Sequence, residues 1–95
     1  MKTPEGYEKD EIKAYLKEIG AWFTLPYMAG FGKSGVPDII ACIDGCFWGI
    51  EVKREGKEPT PLQLQRMTEI ERAGGVAVAG TAERVIAFIK AALAP

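Results

Sequence analysis

A chain of 95 residues, 47% hydrophobic and 26% charged, fits one globular domain over residues 1–95 and leaves no room for a second. The formal net charge of −1 excludes a protein that holds nucleic acid through a global basic field, so any such contact must come from a local patch. No apolar run approaches the roughly 20 residues that span a bilayer, and "MKTPEGYEKDEIK" lacks the apolar centre of a signal peptide, so the expected location is the cytoplasm, with no membrane partner. So short a chain buries only about two thirds of its unfolded surface, and dimerisation would add both stability and a wider footprint on a substrate.

From Glu8 to Ile19 the residues Ile12, Tyr15, Leu16 and Ile19 recur at helical spacing, and Gly20 supplies a stop. "AWFTL" reads as a short strand ended by Pro26, and residues 26–35 read as an irregular loop rich in glycine. "PDIIACI" and "CFWGIEVK" are β-rich runs separated by Asp44-Gly45, a strong signal for a two-residue hairpin turn. Thr60 caps a second helix that Pro61 begins and Gly74-Gly75 closes. "VAVA" is a short buried strand, and Thr81 caps a last helix with Val85, Ile86, Ile89, Ala92 and Leu93 on its apolar stripe.

Within the loop, Gly32-Lys33-Ser34 spells the end of an ATPase phosphate-binding motif. The motif also needs a glycine where Tyr27 stands, and Pro37 restricts the chain to extended geometry where the motif's helix should start. Nucleotide binding is therefore set aside.

With Asp44 and Gly45 as the turn, cross-strand partners have numbers summing to 89, and Asp38 falls opposite Glu51. Side chains alternate along a strand, so Asp38, Glu51 and Lys53 share one face, while Ile39, Ala41, Ile43, Cys46, Trp48, Ile50 and Val52 make an apolar opposite face. Two opposed carboxylates repel, and a divalent cation such as Mg²⁺ between them removes the conflict. Cys42 and Cys46 fall on opposite faces, which excludes a bridge, and they read as small buried hydrophobes. Trp48 reads as core; Trp22, Tyr27 and Phe31 read either as core or as stacking platforms for bases.

Pro37-Asp38, followed after the hairpin by Glu51-Val52-Lys53, resembles the signature of the PD-(D/E)xK nucleases. The nearer resemblance is to the VRR-NUC family, through an early helical Glu (Glu8), Gly35-Val36-Pro37-Asp38, Glu51-Val52-Lys53 and a Gln opening a later helix (Gln63). It implies a restriction-endonuclease-like αβββαβ core, a mixed central sheet flanked by helices. It further implies that Asp38, Glu51 and the Val52 carbonyl hold Mg²⁺ or Mn²⁺. Glu8 would be a further acid, and Glu11 is the competing candidate. Lys53 would act on the attacking water and the phosphate, and Gln63 would hold the lysine or the water.

Lys33, Arg54, Lys57 and Arg66 are the expected positive rim for DNA. The activity implied is that of a metal-dependent endodeoxyribonuclease, with a four-way Holliday junction as the DNA substrate and a homodimer as the working form. Two other readings stand beside it: a catalytically silent nuclease-like module that binds DNA or protein, and a sequence-specific restriction-type nuclease, for which so short a chain has little spare surface.

Overall fold

The computed structural model describes residues 1–27 and 32–95. The expected place of Phe31 lies outside the described residues. The elements follow the expected order: α1 (Pro4–Glu18), β1 (Trp22–Thr24), β2 (Ile39–Ile43), β3 (Cys46–Val52), α2 (Pro61–Arg72), β4 (Val76–Gly80) and α3 (Ala82–Leu93). The strands form one sheet in the order β1-β2-β3-β4, antiparallel except for the parallel pair β3 and β4, which α2 connects.

The hairpin turn has both central residues at positive φ, Asp44 at 51° and Gly45 at 79°, as a twist-matched two-residue turn requires. Its register is the expected one, with Ile43 opposite Cys46, Cys42 opposite Phe47 and Ile39 opposite Ile50. One face of the sheet is therefore continuous and apolar. Ile39, Ala41, Ile43, Trp48, Ile50 and Val52 are buried there against Ile12 and Leu16 of α1 and Val85 and Ile89 of α3.

On the other face α2 covers only β3 and β4. Ile70 packs onto Gly49 and Gly75, where an added Cβ would stand 2.7 and 2.9 Å from its side chain. Nothing in the described fold covers the row Trp22, Cys42 and Phe47 across β1, β2 and β3, so Trp22 is 66% and Phe47 47% exposed. Cys42 is exposed for the same reason and Cys46 half-buried, so neither is the buried small hydrophobe expected; both thiols are free. Tyr27 is fully open to solvent, so it and Trp22 are not core, whereas Trp48 is, with Phe88 edge-on to its ring.

The first helix starts one turn earlier than its apolar stripe suggests. Thr3 caps it by accepting the Gly6 N–H, and Pro4 occupies the first turn. That extra turn carries Glu5.

Candidate metal centre

Asp38 stands just before β2, and its Oδ2 accepts the N–H of Val52 at 2.9 Å. The aspartate thus closes the open end of the hairpin where strand pairing has run out. A strand residue's N–H and C=O face the same neighbour. The Val52 carbonyl is accordingly turned to the Asp38 side, while the next N–H, that of Lys53, reaches Gly80 of β4 at 2.9 Å.

Glu51 lies on the same face as Asp38, with only 2% of its surface exposed, and its Oε1 has no hydrogen-bond partner among the described residues. Lys53, two residues on, brings its Nζ to 3.5 Å from Glu51 Oε2. Burial, and then the Asp38 carboxylate, push the Glu51 carboxyl up to about 7, against the opposing pull of Lys53. An orphaned, buried oxygen beside a second carboxylate fits a cation as its partner, and oxygen donors of this kind suit a hard divalent ion.

The third carboxylate is Glu5. Single oxygens of Glu5, Asp38 and Glu51 lie within 4.8 Å of one another. Glu5 is seven and eleven residues before the fully buried Ile12 and Leu16, on the face of α1 that meets the sheet. Glu8, the acid expected from the family pattern, is employed elsewhere: its Oε1 accepts the N–H of Ala82, the first residue of α3, at 2.8 Å. Glu11 is exposed on α1 and stands outside the trio. Thr3-Pro4-Glu5 repeats the cap-and-proline signal of Thr60-Pro61, so the extra turn and its acid were legible in the sequence.

Gln63 opens α2 in a capping box. Its Oε1 accepts the Thr60 N–H at 2.9 Å while its own N–H reaches Thr60 Oγ1 at 3.2 Å. It shares no hydrogen bond with Lys53 among the described residues. The four expected cations divide into two groups. Arg66 donates to the Ser34 carbonyl at 2.9 Å and to both oxygens of Glu69, and Lys33 stands 3.9 Å from the same Glu69. Arg54 and Lys57 instead border a cavity together with Arg84, a cation that the linear sequence leaves far from the motif.

No family model and no curated protein matches the sequence. Among solved structures, one described as "VRR_NUC domain" is similar at 28% sequence identity and a TM-score of 0.78, over 93% of this chain and 96% of that one. Its likeness spans both chains almost end to end, and the GVPD and EVK motifs stand in order within the same αβββαβ core. This chain is thus similar to a VRR_NUC domain over nearly its whole length, and its mixed four-stranded sheet flanked by helices has the same nuclease-like fold.

Proposed function

We propose that residues 1–95 work as one metal-dependent endodeoxyribonuclease domain that cuts phosphodiesters in branched DNA, a four-way junction first. The observation that carries the reading is the trio Glu5, Asp38 and Glu51, converging within 4.8 Å around a buried, unpartnered Glu51 oxygen with Lys53 beside it. A fold that needed only stability would not gather three carboxylates at the end of a sheet.

In this reading Glu5, Asp38, Glu51 and the Val52 carbonyl hold Mg²⁺ or Mn²⁺. Such an ion supplies an acidified water and a countercharge for the phosphate. Lys53 contributes the remaining positive charge: held at 3.5 Å from Glu51, its ammonium is directed into the carboxylate site, where it can donate a hydrogen bond to the attacking water or to a phosphate oxygen. Gln63 retains its NH₂ group for water or substrate, since the capping box uses the amide oxygen. Junction preference follows from the family resemblance, and a homodimer is favoured by the uncovered row Trp22, Cys42 and Phe47 on the sheet.

The test is cleavage of a labelled four-way DNA junction beside linear duplex and flap, with Mg²⁺, Mn²⁺ or EDTA, by the native protein and Lys53→Ala. Paired, metal-dependent cuts in opposing strands, lost in Lys53→Ala, are expected. Binding of the junction without a cut in any metal would assign the silent module instead.

A further inference from the structure

Beyond Lys53 the chain makes a tight turn in which the Lys57 N–H meets the Arg54 carbonyl at 3.1 Å, with Gly56 at a φ of 83°. Between this turn and the start of α3 lies an open cavity of about 560 Å³ at the carboxyl ends of β3 and β4. Arg54, Lys57 and Arg84 border it, and so do Glu55, Glu58 and Glu83. Yet none of the three cations is in an ion pair among the described residues. Lys33 and Arg66, by contrast, both rest on Glu69.

The position of Arg84 depends on a glycine. Its aliphatic stem lies across Gly80, where an added Cβ would stand 2.6 Å from Arg84 Cδ and 3.2 Å from Cγ. Gly80 is in turn the partner of Val52 in the sheet, and its carbonyl takes the Lys53 N–H. The missing side chain lets an arginine lie one strand away from the residues of the candidate metal centre.

We propose that Arg84, with Arg54 and Lys57, forms a phosphate subsite that holds the DNA backbone beside the carboxylate trio. The inference rests on the nuclease reading above and adds to it where the strand runs: from the trio, past the carboxyl ends of β3 and β4, to the start of α3. An arginine fork matches two phosphate oxygens, and cations without carboxylate partners need not give up an ion pair to take one. The three glutamates hold the local charge near zero, which confines the subsite to a single phosphate contact rather than a general hold on DNA.

Fluorescence anisotropy of a fluorescein-labelled four-way junction, with Ca²⁺ replacing Mg²⁺ and the DNA checked for intactness on a gel, tests this across a salt series. Removing one phosphate contact flattens the slope of log K against log salt by about 0.9. That change is expected for Arg84→Gln, with the native slope kept by Arg84→Lys and tighter binding by Glu83→Gln. Gly80→Ala should share the flatter slope, since it displaces the arginine stem. A native slope in Arg84→Gln, with binding by the unmodified protein intact, overturns the subsite alone. Failure of the unmodified protein to bind DNA at any salt overturns the subsite together with the nuclease reading.

Discussion

Glu8 accepts the backbone N–H of Ala82 at 2.8 Å, so an acid in the second turn of α1 caps a helix 74 residues further along the chain. The same contact fixes the rotation of α1 and with it Glu5, one turn away. Because a glutamine oxygen can accept that N–H as well as a carboxylate can, Glu8→Gln should bind Mn²⁺ as the native protein does. Glu8→Ala should lose about 1 kcal/mol of stability, as for other lost caps. Glu5→Gln should weaken Mn²⁺ binding without that loss of stability. Calorimetric titration with Mn²⁺ and thermal melts of the three variants separate the roles; a Glu8→Gln protein that loses the metal as Glu5→Gln does would return Glu8 to the ligand set.

Glu51 makes the metal-free protein sensitive to pH in an unusual direction. Its folded carboxyl titrates at about 7 and its unfolded one near the ordinary 4.5, so between these values the folded state holds the extra proton. Stability therefore falls as pH rises through that window, by at most about 1.4 kcal/mol per pH unit, and levels off above it. Asp10, held low chiefly by its bond to Lys2, and Glu69, held low chiefly by Arg66, act in the opposite sense but only at more acid pH. Melts in EDTA from pH 5 to 8 should show the decline, Glu51→Gln should abolish it, and Mg²⁺ should stabilise most at the alkaline end.

Gly35 sits at a φ of 78°, with the position of a Cβ 2.7 Å from Leu62 Cγ. Alanine there meets a left-handed backbone penalty of about 1–2 kcal/mol and a steric clash besides. Gly35→Ala should lower stability by that much or more, and Leu62→Ala should relieve only the steric part. A double-mutant cycle on urea midpoints measures the two contributions.

Arg66 fastens the segment ahead of Asp38 to α2 through the Ser34 carbonyl and Glu69. Charged hydrogen bonds of this kind contribute about 1.5–3 kcal/mol when buried, less here at the surface. Arg66→Ala should leave the core intact and speed trypsin cleavage after Lys33, seen as two fragments by mass spectrometry. An unchanged cleavage rate would mean that Leu62 and Pro37 suffice to hold the segment.

The hairpin was the most legible part of the sequence, since Asp-Gly sets a turn and the strict alternation of apolar residues admits one register. From it came the shared face of Asp38, Glu51 and Lys53. The apolar stripe of α1 begins at Ile12 and leaves the helix start open, whereas the cap and proline at Thr3-Pro4 mark it and add the turn that brings Glu5 to Asp38 and Glu51. Exposure of Cys42 and the approach of Arg84 to Gly80 depend on which helix lies over which part of the sheet, and such tertiary placement leaves no local periodicity to read.

The parallel pairing of β3 with β4 also dictates when during synthesis the site can exist. Glu5, Asp38, Glu51 and Lys53 all precede residue 54, but Gly80 accepts the Lys53 N–H, Ala82 donates its N–H to Glu8, and Val85 and Ile89 close the core beneath Ile50 and Val52. The residues that would do the chemistry are made first and those that hold them in place last. A ribosome that has released only the first two thirds of the chain presents every acid and the lysine without the scaffold that converges them, so order in the site is a property of the finished domain and not of the nascent chain.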